Sequence, residues 1–91
     1  MNFEWDPGKE GRNRRKHGVS FHEAATVFGD PLAITYFDPD HSVSERGFIT
    51  VGRSTANRIL IVAHVDREDN VRIISARKTT LRERKHYEEE G

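Results

Sequence analysis

The hydrophobic positions of this chain follow two different periods. Phe21, Ala24, Ala25 and Phe28 recur at i, i+3, i+4 and i+7, which lines them along one face of a helix. Leu32 to Phe37, Phe48 to Arg53, Arg58 to Val65 and Val71 to Arg77 instead form short runs rich in β-branched residues, the length and composition of strands. Only Ser54-Thr55-Ala56-Asn57 and Asp66-Arg67-Glu68-Asp69-Asn70 separate the last three runs. A parallel crossover needs about a dozen residues, so links this short make the neighbouring strands antiparallel. The polar stretch Asp38-Pro39-Asp40-His41-Ser42 reads as the loop that sets the first strand off from the rest.

Capping signals supply the helices. Phe3 to Trp5 has the makings of a short strand, and Asp6-Pro7 reads as an N-cap followed by proline at the first helical position. The helix that follows is expected to reach about His17 and stop at Gly18. It contains Gly11 and almost no apolar face, so it is expected on the surface, held by its ends and by Trp5 rather than by propensity. Ser20 with Glu23 makes a capping box for a second helix, which Asp30-Pro31 ends. Thr80 with Glu83 makes another, starting a last helix that runs through Tyr87 toward Glu90. The predicted architecture is α+β: two N-terminal helices, a four-stranded antiparallel β-sheet and a C-terminal helix, in a single domain over residues 1–91.

A 91-residue chain buries only about 60 to 65% of the surface its unfolded form exposes, so the core has to be small. The chain has no cysteine, which excludes a disulfide framework and a thiolate zinc site. No apolar run reaches the roughly 18 residues of a membrane span, and Met1 to Asp6 carries no leader pattern. A cytoplasmic location with no membrane partner is expected. Basic and acidic residues balance at 15 each, but the charge is sorted along the chain. Arg72, Arg77, Lys78, Arg82, Arg84 and Lys85 stand against a single acid, Glu83, in that stretch; Lys9, Arg12, Arg14, Arg15 and Lys16 form a second basic cluster. Acids gather from Asp38 to Glu45 and from Glu88 to Glu90. Local positive surface inside a neutral protein points to a phosphate site rather than general attraction to polyanions.

Strand alternation assigns side chains to faces. Leu60, Val62 and His64 point one way, with Ile59, Ile61, Ala63 and Val65 opposite; in the next strand Val71, Ile73, Ser75 and Arg77 share a face, with Arg72, Ile74 and Ala76 opposite. A histidine beside arginines can cleave RNA without a metal. A base takes the 2′-hydroxyl proton, cations absorb the charge growing on the phosphate oxygens, and an acid protonates the leaving 5′ oxygen. His64 is the candidate base or acid. Arg72 and Arg77 are the candidate cations, because a guanidinium matches phosphate oxygens in bidentate fashion. Lys78, Arg82 and Tyr87 are candidate substrate contacts, as are Lys9 and Lys16 of the N-terminal cluster. Each has a plainer role beside the functional one: His64 as a satisfied strand residue, the lysines and arginines as a solvated face, Tyr87 as packing beside Leu81. His22-Glu23-Ala24-Ala25-Thr26 misses the zinc-protease motif because residue 26 is threonine. Asp38, Asp40 and His41 sit in a run that reads as a turn before it reads as a metal site. No metal or cofactor is expected. Two other functions fit the same basic surface: a noncatalytic nucleic-acid-binding module, and a domain that docks an acidic protein.

Phe3-Glu4-Trp5-Asp6-Pro7 with Lys9 and Asn13, then Lys16-His17-Gly18-Val19-Ser20-Phe21, then Asp30-Pro31, and finally Arg72-Ile73-Ile74-Ser75-Ala76-Arg77 with Arg82-Glu83-Arg84 and Tyr87, together resemble the BrnT family of bacterial toxins. The likeness spans nearly the whole chain. It implies a type II toxin–antitoxin system, a RelE-like ribonuclease fold, and RNA cleavage that arrests translation and growth. It also implies a BrnA-like antitoxin with a ribbon-helix-helix-type DNA-binding domain, joined to the toxin in a hetero-oligomer. The active surface is then expected on the strand and helix around Arg72 and Arg77, with Lys9 and His17 as outlying candidates.

Overall fold

The computed structural model describes residues 1–38 and 47–90. Its elements are β1 (Asn2–Glu4), α1 (Pro7–His17), α2 (Phe21–Thr26) continued by one 3-10 turn (Val27–Gly29), β2 (Ile34–Phe37), β3 (Gly47–Arg53), β4 (Ile59–Arg67), β5 (Asn70–Lys78) and α3 (Leu81–Glu90). The sheet order is β1-β5-β4-β3-β2. The four predicted strands form an antiparallel meander, and β1 joins β5 in parallel. The expected four-stranded antiparallel sheet is therefore a five-stranded mixed one. Three residues are too few to announce a partner by pattern, and the intervening helices and strands give the chain ample length for a parallel pairing.

The helix ends follow their local chemistry. Asp6 accepts the Lys9 N–H at 2.8 Å, Gly18 closes α1 at a φ of 69°, and Ser20 accepts the Glu23 N–H at 3.1 Å. Thr80 and Glu83 exchange both bonds of a capping box, at 2.8 and 3.2 Å.

One sheet face is covered by the N-terminal helices. Leu60, Val62, Ile73 and Ala76 meet Val19, Phe21, Ala24 and Val27 in the main core, with Phe3, Trp5 and Phe28 at its margin. Gly52 lies under this layer, where an added Cβ would come within 2.8 Å of Val27 and 3.0 Å of Ala33; only glycine lets β3 approach so closely. Helix α1 is attached by a polar residue. The buried Asn13 amide donates to the carbonyls of Ala76 at 2.8 Å and Val19 at 2.9 Å, and accepts the Ala76 N–H at 3.0 Å. Since β1 pairs only with Asn70 to Arg72, Asn13 satisfies the edge of β5 where no strand lies. Trp5 packs edge-on against the rings of Phe21 and His22.

Simple alternation fails in β5. Ala63 pairs with Ser75 while His64 pairs with Ile73, which leaves Ile74 as the extra residue of a β-bulge. Val71 and Ile73 therefore share the helix-covered face with Ala76. Arg72, Ser75 and Arg77 turn to the other face, which corrects the expected assignment.

Candidate functional site

Helix α3 crosses that second face. One cross-strand row there is Ile34, Val51, Ile61 and Arg77; the next is Tyr36, Ile49, Ala63 and Ser75. Tyr87 is the buried residue of α3, packed with Val51 and Ile59. Its hydroxyl donates to Asp30 at 2.5 Å, and Asp30 also accepts the N–H groups of Leu32 and Arg53 at 2.9 and 2.8 Å. Burial pushes the Asp30 carboxyl up, but the donors from Tyr87, Arg53 and Leu32 outweigh it and hold it below its ordinary value. Burial, with the Asp30 charge beside it, pushes the Tyr87 phenol up.

Beside Tyr87, between α3 and the sheet, lies an open groove of about 470 Å³. Ile34, Ile49, Val51 and Ile61 line it, together with Tyr36, Arg77, Arg82, Glu83 and His86. Arg77 donates from its two terminal nitrogens to the two Glu83 oxygens at 2.9 Å each, and to the Lys78 carbonyl at 3.2 Å. These bonds, helped by the Thr80 cap, lower the Glu83 pKa from 4.5 to about 2 against the upward push of burial. The Glu83 bonds in turn raise Arg77. A guanidinium carries five N–H donors in a fixed fork, and these three bonds leave the Nε–H and one Nη2–H. That remaining edge can take phosphate oxygens while Glu83 holds the other.

One turn along α3, His86 Nε2 meets the Tyr36 hydroxyl at 3.0 Å, and both side chains are exposed. Neither residue is singled out by the sequence. Helical spacing puts His86 on the same face as Glu83, three residues on, but nothing local foretells a partner 50 positions away.

The structure brings Arg77, Arg82 and Tyr87 together at the groove and leaves the other predicted residues elsewhere. His64 lies on the helix-covered face at 3% exposure, between the rings of Phe28 and Phe48 at 4.9 and 5.8 Å. Its Nε2 bonds the Thr50 hydroxyl at 2.8 Å and its Nδ1 bonds Asp66 at 2.9 Å. Burial drives its pKa down against the opposing pull of Asp66. The sheet thus separates His64 from Arg77, and the expected histidine–arginine cluster does not form. Arg72 shares the face of Arg77 but sits five positions back on β5, roughly 15 Å at the rise of a strand, beside Glu4 at 3.8 Å. Lys9, Lys16 and His17 stay on α1, outside the groove. Lys78 lines a separate hollow with Thr80 and Arg84. Asp40 and His41 lie outside the described residues, and among those described no cluster of histidines and acids is placed to hold a metal. No helix among them is long and apolar enough to cross a membrane.

A family model described as the ribonuclease toxin BrnT of type II toxin–antitoxin systems matches residues 5–83. No curated protein matches the chain by sequence. Among solved structures, the ribonuclease toxin BrnT of Brucella abortus is similar with a TM-score of 0.70 and 19% identity, over 88% of this chain and 97% of that one. At that identity the likeness speaks for the α+β fold.

Proposed function

The chain belongs to the BrnT family of ribonuclease toxins of type II toxin–antitoxin systems, and from that premise we propose that it is a metal-independent endoribonuclease whose cleavage of RNA stops translation and growth. The observation that carries this reading is Arg77, clamped by Glu83 on one edge of its fork and open on the other above the α3 groove. When a ribose 2′-hydroxyl attacks the adjacent phosphorus, negative charge builds on the non-bridging oxygens. A cation already oriented toward them stabilises that charge without having to reorganise. Arg82 lines the same groove and adds a second positive charge. The partner is a BrnA-like antitoxin with a ribbon-helix-helix-type DNA-binding domain, which neutralises the toxin in a hetero-oligomer by setting acidic side chains over these arginines. Toxin, antitoxin and RNA meet in the cytoplasm.

The test uses the purified chain, freed of any partner, with a defined RNA in EDTA. The parent cleaves; Arg77→Ala loses about 10²- to 10³-fold in rate and no longer arrests growth. Since Arg77 also steadies α3, Arg77→Lys is the companion variant: it keeps a charge beside Glu83 but lacks the open edge, and it too is inactive. A folded Arg77→Ala protein as active as the parent would refute the role of Arg77. Cleavage seen only when a divalent ion is restored would refute metal independence, and RNA bound but left intact by the parent would favour a noncatalytic module.

A further inference from the structure

We infer that Tyr36 and His86 form the proton-transfer pair of this groove, carrying the 2′-hydroxyl proton of RNA to the departing 5′ oxygen. The inference rests on the ribonuclease reading above and supplies the acid and base that Arg77 cannot.

Three observations carry it. Tyr36 comes from β2 at one side of the sheet and His86 from the C-terminal helix, yet they meet at 3.0 Å. They do so in the groove that holds Arg77, and Tyr36 remains 41% exposed, so a substrate can reach them. Second, His86 is three residues beyond Glu83, and positions so spaced lie on one helix face about 5 to 6 Å apart. Glu83, which holds Arg77, and His86, which meets Tyr36, therefore stand on one face of α3 and line the same groove. Third, the histidines of the described residues differ in what they offer. His64 has both ring nitrogens bonded and is buried, His22 lies against the Trp5 ring, and His17 is on α1. His86 lines the groove with one nitrogen bonded to Tyr36 and Nδ1 without a protein partner.

In the step this arrangement performs, the bond from the 2′ oxygen to phosphorus forms and the bond from phosphorus to the 5′ oxygen breaks. His86 Nδ1 takes the 2′ proton. The Tyr36 hydroxyl gives its proton to the 5′ oxygen and is refilled from His86 Nε2–H along the bond between them. The products are a 2′,3′-cyclic phosphate and a 5′-hydroxyl end, and exchange with water restores the starting tautomer of the imidazole. No electrons are transferred and no co-reactant is needed. The entering and leaving oxygens of an in-line displacement lie on opposite sides of phosphorus, and the pair presents two proton-exchanging atoms separated by one ring and one hydrogen bond.

Single-turnover cleavage of the same RNA in EDTA, with RNA affinity measured separately, tests the pair through Tyr36→Phe and His86→Gln. Both sites are exposed, and phenylalanine keeps the ring on the groove. Each variant is expected to lose about 10²- to 10⁴-fold in rate while affinity stays within about twofold and thermal unfolding matches the parent. A loss confined to the single-turnover rate, with affinity and unfolding unchanged, is a change a merely structural role would not produce. If the parent cleaves and either variant keeps the parental rate, or loses affinity alone, the pair falls and the ribonuclease reading stands. If the parent leaves RNA intact, both fall.

Discussion

Replacing Glu83 by glutamine tests whether α3 is seated by charge. This helix buries only Tyr87, so apolar packing does little to hold Leu81–Glu90 against the sheet. Glu83 takes two bonds from Arg77 at 2.9 Å and the Thr80 N–H at 2.8 Å, and its pKa falls from 4.5 to about 2. A fall of that size sets a ceiling of about 3.4 kcal/mol on what the charged form contributes to folding. The two side chains are 42% and 33% exposed, so water screens the pair. The contribution is then about 1 to 2 kcal/mol, above an ordinary surface pair because two parallel bonds are made. In a domain of this size each kcal/mol moves Tm by about 4 to 8 °C, so Glu83→Gln should lower Tm near neutral pH by roughly 5 to 15 °C. The folded pKa lies below the unfolded one, so the stabilisation is complete above about 4.5 and is lost as pH falls toward about 2. Urea unfolding of parent and variant at about pH 7, about 4 and about 2.5 should show a gap that narrows over that window. A gap that persists at the lowest pH, or no gap near neutrality, would show that charge does not seat the helix.

Two further outcomes follow from the covered face. His64→Gln should keep RNA cleavage and lose stability; burial holds the folded pKa of His64 below its ordinary value, so the parent loses stability on acidification as the unfolded chain protonates first, from about pH 6.5 downward. Denaturant unfolding from about pH 7 to about pH 5 should show that slope in the parent and its loss in the variant, and equal slopes would count against a neutral buried His64. Asn13→Ala strands the Ala76 N–H and C=O and the Val19 carbonyl in the interior and should cost about 2 to 3 kcal/mol, read as a lower denaturant midpoint at unchanged slope; a negligible shift would mean that water replaces the amide.

What the sequence discloses is what is encoded locally. Asp6, Gly18, Ser20, Thr80 and Glu83 mark helix ends because each acts on backbone groups within three or four positions of itself. The β-branched runs and short links give the meander for the same reason. The pairing of β1 with β5 joins residues that no local pattern relates, and Asn13, a polar residue on a polar helix, is recognisable as an attachment only once the unpaired edge of β5 lies beside it. The site divides along the same line. Arg77, Arg82 and Tyr87 were legible from charge and helical position. Tyr36 and His86 were not, because their significance is a contact across the sheet.

The misassigned face of Arg77 has a cause that also explains the site. Ile73 and Ala76 are both 1% exposed on the helix-covered face, yet they are three positions apart, and a strand with a side-chain period of two cannot put both on one face. Regular alternation would expose one of them, or turn Arg77 toward Phe21 and Val27, which have no exposure at all, where an unpaired guanidinium is far costlier than a lost ladder bond. The extra residue Ile74 resolves the conflict in parity. Once it is inserted, Ile73 and Ala76 both reach the core, and Arg72, Ser75 and Arg77 all turn outward to the face that α3 crosses. Burial of Ile73 and Ala76 on one face is thus what aims Arg77 at Glu83 and the groove. The core and the candidate site are set by the same residue, and the alternation that grouped Arg77 with Ile73 failed at the one position where packing overrides the strand's own period.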